Sequence, residues 1–258
     1  MYVGLVVATG GDGTVHEVAN GLLRARAELG ALPTALAVVP CGTGNDFARV
    51  IAGIRSRAAA YDAIGAGRTR VVDAGLVRWD GGQEYFVNGM GTGIDVEVVR
   101  QLRKTDRLPG GIIYLRALFR ALARFRPIPL RLTGGNAVID AHAMMIAVCN
   151  GQRIGGAFRI CPDSRADDGA LDACFVEALP WHAIPLTLLA ILRGAHRERP
   201  RVRMLRAPAF TLEVPSGTPL FVQLDGELRD TGAARVLHVS TLPGALRVIA
   251  TPVPKDEP

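Results

Sequence analysis

Four short stretches of this 258-residue chain combine glycine with acidic residues in ways that could do chemistry. Thr9-Gly10-Gly11-Asp12-Gly13-Thr14 and Pro40-Cys41-Gly42-Thr43-Gly44-Asn45-Asp46 each follow an apolar run and precede a helical pattern. Glycine lets a backbone approach a ligand closely, and the free N–H groups of a helix start attract anions, so both turns suit a phosphate. No Gly-Lys-Ser/Thr follows either turn and neither is GxGxxG, so the P-loop and dinucleotide signatures are missing. A tight βα turn would use glycines in the same way. Asp12 points further, because a carboxylate repels phosphate unless a Mg2+ ion stands between them. Asp225-Gly226-Glu227 has the composition of a hairpin turn, and Asp167-Asp168-Gly169-Ala170-Leu171-Asp172 that of an Asp-Gly turn before a strand.

The elements that must carry these turns are legible. Residues 3–8, VGLVVA, form a continuous apolar run of the kind found in buried parallel strands. A helix follows, with Val15, Val18, Ala19 and Leu22 on one face, Thr14 and Glu17 forming a capping box, and Gly30 ending it. A second strand over 35–39 leads into the second turn, with Asn45 or Asp46 as N-cap. Two such turns less than forty residues apart lie side by side at the carboxyl edge of one sheet, where α/β proteins bind ligands. From Arg68 onward the pattern changes to alternating strands (EYFVNG, HAMMIAVCNG, ALDACFVEAL, AFTLEV, PLFVQLDGE, RVLHVST), which argues a mainly antiparallel β-domain. The breaks are short, at Gly65-Ala66-Gly67 and Leu242-Pro243-Gly244.

Hydrophobic residues make up 49% and charged residues 21%, a globular composition rather than a disordered one. The net charge of +6 favours anionic partners without choosing among them, and only Lys104 and Lys255 are lysines. Cys41, Cys149, Cys161 and Cys174 form no CxxC pair, which argues against a disulfide scaffold or zinc site and for a reducing cytosol. Met1 leads straight into an apolar strand without a basic leader. The longest uncharged run, 178–192, is shorter than a spanning helix and carries Pro180 and Pro185, so a soluble protein is expected.

GGDGTVHEVANGL and PCGTGNDFAR, in this order and spacing, closely resemble the catalytic domain shared by diacylglycerol kinases, sphingosine kinases and bacterial lipid kinases. The resemblance continues through Arg70-Val71-Val72-Asp73-Ala74-Gly75, similar to the family's D-x-G strand, then Tyr85-Phe86-Val87-Asn88 and the glycine-rich 89–93. It implies an α/β nucleotide-binding domain (1–67 with 244–258) and a β-sandwich lipid domain (68–243), the last strand, 245–251, returning to the first domain. It also implies an earlier strand and helix with an Asn-Pro loop ahead of the position of Met1, so the first domain is expected to be incomplete. Asp168, with the carbonyls of Arg165 and Ala170, would hold a structural Mg2+, and Asp225-Gly226-Glu227 would supply the catalytic acids facing the nucleotide cleft. Cys41 stands where the family commonly has an aliphatic residue.

Phosphoryl transfer needs phosphates held, charge neutralised by metal, and an acceptor hydroxyl oriented for in-line attack. Gly10, Gly11, Asp12, Gly13 and Thr14 with Gly42, Thr43, Gly44, Asn45 and Asp46 are the candidate nucleotide contacts. Asp12, Asp46 and Asp73 can organise a hydrated Mg2+. Asp225 or Glu227 would accept the lipid hydroxyl's proton, a contribution of ~10²- to 10⁴-fold for a carboxylate base. The reading places the base on Asp225 with Glu227 supporting, and the sequence does not separate them. ATP and Mg2+ are the expected cofactors. The expected partner is a lipid at the inner face of a membrane, approached from the cytoplasm. A homodimer stays open, as does the acceptor among diacylglycerol, a sphingoid base, ceramide, a polyprenol and phosphatidylglycerol.

Two basic segments could reach that membrane. Residues 112–126 read as an amphipathic helix, with Ile112, Leu115, Leu118, Phe119 and Leu122 on one side and Arg116, Arg120 and Arg124 on the other. Arg100, Arg103, Lys104 and Arg107 lie upstream, and a second cluster runs from Arg193 to Arg206 around His196. A core-packed helix with a solvated basic face is the usual explanation for the first segment, which leaves the Arg193–Arg206 cluster as the preferred membrane-facing element. Nucleic acid is disfavoured, since aromatic residues are 5% and no recognised binding motif appears. The competing readings are an NAD kinase, which shares the GGDG turn but not the PCGTGNDFAR loop, and a non-catalytic lipid- or nucleotide-binding remnant.

Overall fold

The computed structural model describes residues 4–30, 32–103, 110–218, 220–232 and 234–251, without the side chains of 103 and 110–115. The first unit opens with β1 (Leu5–Gly10), α1 (Asp12–Leu29) and β2 (Ala35–Pro40), followed by a π-helical turn over 47–51 and α2 (Arg57–Ala66). β1 and β2 pair in parallel, Leu5 opposite Ala35 through Gly10 opposite Pro40. β2 is buried along its whole length, which is why ALAVVP shows no polar alternation. Its core packs Val15, Ala19 and Leu23 of α1 against Leu36, Val38, Ile51 and Ile54.

α1 begins at Asp12, with Gly11 as N-cap and no side chain capping it. The capping box expected of Thr14 and Glu17 therefore does not form, because the helix has already started two residues earlier and Thr14 lies exposed inside its first turn. Its buried face is Val15, His16, Ala19, Asn20 and Leu23, so two polar residues sit where Val18 and Leu22 were expected to dominate. Gly30 ends the helix at φ 81°, as read from the sequence.

The second unit contains β3 (Thr69–Trp79), β4 (Gly82–Phe86), β5 (Gly89–Gly93), α3 (Ile94–Arg103), α4 (Gly110–Arg124), β6 (Ile128–Gly134), β7 (Ala137–Cys149) and β8 (Leu171–Glu177). It continues with α5 (Ile184–Arg193), β9 (Val202–Ala207), β10 (Ala209–Glu213), β11 (Phe221–Leu224), β12 (Glu227–Asp230) and β13 (Val236–Ile249). Pairing within this unit is antiparallel, and Phe86, Met90, Leu132, Ile146, Phe175, Phe210 and Leu237 fill its core. The architecture is thus an α/β unit joined to a β-sandwich, as expected.

The joint is the unexpected part. β13 pairs antiparallel with β3 along nearly its whole length, from His238 opposite Arg78 to Ile249 opposite Thr69. Its far end also pairs in parallel with β2, at Arg247–Ala35 and Val248–Leu36. Leu242-Pro243-Gly244, read from sequence as a break, is a bulge inside this one strand. The Arg26 guanidinium donates to the carbonyls of Gly244 and Ala245, both at 2.7 Å, and the Asp73 carboxylate accepts the Gly244 N–H at 2.8 Å.

Candidate active site

The two glycine turns touch. Cys41 N–H donates to the Gly10 carbonyl at 2.9 Å, and a Cβ on Gly42 would stand 2.5 Å from the Gly11 Cα, so only glycine fits there. Asn45, at φ 56°, clips the second turn shut: its Oδ1 accepts the Gly42 N–H at 2.9 Å and its Nδ2 donates to the Gly42 carbonyl at 2.6 Å. Asp46 occupies the N-cap place of the following π-helical turn without capping it, since its carboxylate turns away to accept the Gly156 N–H at 3.0 Å. Neither residue caps a helix through its side chain, as the sequence had suggested, because loop closure claims both. The first-turn N–H groups of α1 have no intrahelical acceptor, and the N-cap, Gly11, has no side chain to cap them.

Asp12 accepts the Phe47 N–H at 3.3 Å and faces Asp46. Burial, with Asp46 adding to it, pushes the Asp12 carboxyl up to about 6, and burial raises Asp46 as well. Among the described residues no three His, Cys, Asp or Glu side chains converge as a metal cage. Two neighbouring carboxylates of this kind nevertheless fit a hydrated Mg2+, which takes one or two carboxylates and keeps its waters. Asp12→Asn is therefore expected to raise the melting temperature at pH 7. An acid whose folded pKa is raised costs stability once the pH exceeds its unfolded value, 3.8, so removing it relieves that cost. The same variant should lose any thermal shift that Mg2+ and ATP produce together in the parent, read by differential scanning fluorimetry.

Asp73 does not join this pair. It is 3% exposed, and its carboxylate accepts the N–H groups of Gly169 at 2.7 Å and Gly244 at 2.8 Å, tying the loop before β8 and the bulge of β13 to β3. The structural-metal set is also altered. One Asp168 oxygen accepts the Ala170 N–H at 3.2 Å, and the other is held by the Arg206 guanidinium, which also lies 3.5 Å from Asp172. An arginine thus neutralises the carboxylate expected to bind the cation, and Asp168 with the carbonyls of Arg165 and Ala170 does not fit a metal here. Chelation with EDTA should accordingly leave the melting temperature unchanged, whereas Arg206→Gln should lower it by roughly 2–4 °C without rescue by Mg2+.

Asp225 and Gly226 link β11 to β12 with φ values of 51° and 89°, the left-handed pair that two-residue hairpins favour. The Asp225 side chain is 2% exposed. It accepts the N–H groups of Val87 (3.0 Å), Asn88 (2.8 Å) and Gly89 (3.0 Å), and His16 Nδ1 lies 2.9 Å away. His16 Nε2 reaches Glu84 Oε1 at 3.0 Å, and the Arg229 guanidinium closes the cluster on Glu84. Burial pulls the His16 pKa down, but hydrogen bonds to Asp225 and Glu84 outweigh it and hold the imidazole up at about 9. Glu84 behaves in mirror image: burial raises it, yet His16 and Arg229 bring it to about 2. Asn20 donates to the Tyr85 carbonyl and accepts the Tyr85 N–H, pinning α1 to β4. His16 and Asn20 lie inside the GGDGTVHEVANGL stretch but were not singled out. Polar residues four apart on an otherwise apolar helix face were the signal available.

Glu227, half-buried at the start of β12, leans over the first turn of α1, and a Cβ on Gly13 would sit 2.9 Å from its Oε1. The structure therefore brings Gly11, Asp12, Gly13, Gly42, Gly44, Asp46 and Glu227 to one place. Behind this hairpin, Gln223 donates to Asp95 at 2.7 Å and accepts the Gly226 N–H at 2.7 Å. Asp95, its carboxyl pushed up by burial to about 6, lines an apolar cavity of about 80 Å3 with Ile94, Leu118, Leu122, Leu188 and Ile191.

Comparison with known proteins agrees with this fold. The family model described as "Diacylglycerol kinase catalytic domain" matches residues 2–77, and "YegS C-terminal NAD kinase beta sandwich-like domain" matches residues 88–250. The fold and these matches define the diacylglycerol kinase class of lipid kinases. Within it, the chain belongs to the YegS-like lipid kinase family and is an enzyme of that kind. A "Probable lipid kinase YegS-like" of Stenotrophomonas maltophilia is 33% identical over 251 residues, covering 95% of this chain and 78% of that protein. One of the same description from Pseudomonas aeruginosa is 33% identical over 243 residues, covering 94% and 75%. The crystal structure of a diacylglycerol kinase from Bacillus anthracis has the same fold, with a TM-score of 0.67 at 22% identity over 97% of this chain and 77% of that one.

Proposed function

We propose that this lipid kinase transfers the γ-phosphoryl group of ATP to the hydroxyl of a membrane lipid, working at the inner face of the membrane from the cytoplasm. The convergence of Glu227 with Asp12 on the uncapped start of α1 carries this reading. Phosphate oxygens meet the N–H groups of the first turn of α1 and of Thr43 and Gly44, with the exposed Thr43 hydroxyl beside them. Asp12 and Asp46 would hold Mg2+, which when bound offsets negative charge on the phosphates. Glu227 takes the hydroxyl proton as the lipid oxygen bonds to the γ-phosphorus and the bond to the bridging oxygen breaks, releasing ADP.

For Asp225 we propose a part other than the base first read for it. Its carboxylate already accepts three backbone N–H groups beside a protonated His16, so we assign it the positioning of the hairpin that bears Glu227. The apolar cavity has room for a short stretch of a lipid's acyl chain, and Asp95 in its lining is tied to the hairpin through Gln223.

The test is label transfer from γ-labelled ATP with Mg2+ to micellar diacylglycerol, sphingoid base, ceramide, polyprenol and phosphatidylglycerol, with NAD as a further acceptor. A labelled lipid, lost in Glu227→Gln, is the expected result. Label moving only to NAD, or to no acceptor from folded protein, would overturn the proposal.

A further inference from the structure

α5 is apolar on both sides. Thr187 and Ile191 are buried and Leu188 packs toward α4, while the opposite face leaves Leu186 at 57%, Leu189 at 42% and Leu192 at 37% exposure. Trp181, one turn ahead of the helix, is 83% exposed. Four of the ten large hydrophobic side chains exposed among the described residues thus fall within twelve positions, and a fifth, Phe119 at 63%, stands on α4. Isolated exposed leucines need no explanation, but a contiguous apolar face does.

Charge decides what covers this face. Residues 178–197 contain no acidic side chain, and neither do 110–126. Arg193 is exposed at the end of α5, and Arg116, Arg120 and Arg124 are exposed on α4 around Phe119. The sequence had grouped Phe119 with Leu118 and Leu122 opposite these arginines; its exposure makes it part of the outer face with them instead. Ile112, Leu115, Arg103, Lys104 and Arg107 lie outside the described side chains. The basic cluster of 193–206 changes meaning too. Much of it serves the fold: Arg197 pairs with Asp163, Arg201 donates to the Ala178 carbonyl, and Arg203 and Arg206 of β9 pair with Glu177 and Asp168. His196 is buried against the Ile160 carbonyl. The apolar outer face of α5, with arginine at its margins, is left to meet a partner. Among the described residues no helix is long and apolar enough to cross a membrane.

We propose that Trp181, Leu186, Leu189 and Leu192, bordered by Arg193 and by Phe119 with Arg116 and Arg120, dock the protein onto an anionic bilayer. An interfacial helix combines these features, namely apolar side chains that enter the acyl boundary and basic ones that meet lipid phosphates. Position supports the same occupant. Leu188 and Ile191 of α5 and Leu118 and Leu122 of α4 line the apolar cavity from the inner sides of the two helices, so docking brings the cavity to the lipid source. That last point rests on reading the acceptor as a membrane lipid; the docking itself does not.

Binding is read without ATP, by co-sedimentation of a Trp79→Phe protein with vesicles of phosphatidylcholine alone or mixed equally with phosphatidylglycerol. The remaining tryptophan, Trp181, reports insertion by a blue shift of its emission. Binding to the mixed vesicles with a blue shift, weakened at least about tenfold by Leu186→Ser with Leu189→Ser and again by Arg193→Glu, is expected. These side chains are exposed and do not line the cavity, so label transfer to micellar lipid should persist. Three results would overturn the proposal. The first is no vesicle binding, the second is binding unchanged in the double variant, and the third is a dimer that the double variant dissociates, which would make a second copy the occupant. Vesicle binding without transfer to any micellar lipid would instead spare this surface and remove the kinase reading.

Discussion

Glu227→Gln is expected to lower the turnover of lipid phosphorylation by ~10²- to 10⁴-fold, the range a positioned carboxylate base contributes. The melting temperature should move little. Glu227 is half-buried at a hairpin edge, and glutamine keeps its length and its hydrogen-bonding oxygen. KM for ATP should change less than kcat, because proton acceptance acts in the transition state rather than on nucleotide binding. A variant with wild-type kcat would return the role of base to Asp225, where the sequence reading first placed it.

Asp225→Ala should instead act on stability, by roughly 3–5 kcal/mol, the cost of breaking a buried, hydrogen-bonded charge cluster. Its removal leaves the Val87, Asn88 and Gly89 N–H groups without their acceptor and His16 with one carboxylate fewer. The cluster also has a pH signature. His16 is raised from 6.5 to about 9, so its stabilisation is full below 6.5 and is lost as pH rises through about 9. Glu84 is lowered from 4.5 to about 2, so its contribution is full above 4.5 and is lost as pH falls through about 2. Urea unfolding of the parent should weaken between pH 6.5 and 9, while His16→Gln should be less stable at pH 6.5 and nearly flat across that window. An unchanged alkaline slope in His16→Gln would show that the imidazole is not charged in the folded protein.

Much of this site could be read from residues alone. Both glycine turns and the strands feeding them follow from apolar runs and turn chemistry, which are local properties, while the returning last strand was implied only by the family resemblance. The readings that the structure leads us to revise concern tertiary neighbours. Whether Asn45 caps a helix or clips a turn depends on where the Gly42 backbone lies. Whether Asp168 faces a cation depends on Arg206, thirty-eight residues away and delivered by β9, a strand hidden in what read as a basic cluster. Asp225 and Glu227 are two positions apart in one hairpin, and only the left-handed φ of Asp225 sends them to different surroundings. The glycine-rich β5 gave no strand signal, since GMGTG carries hardly a side chain that could alternate.

The paired strands β3 and β13 run through both units, so the cleft has no swivelling linker. Its mechanical compliance is concentrated at Leu242-Pro243-Gly244, and even there Arg26 and Asp73 grip the backbone from either side. A ribbon of this kind bends and twists but does not swing, so the glycine turns and Glu227 are held near one separation before either substrate arrives.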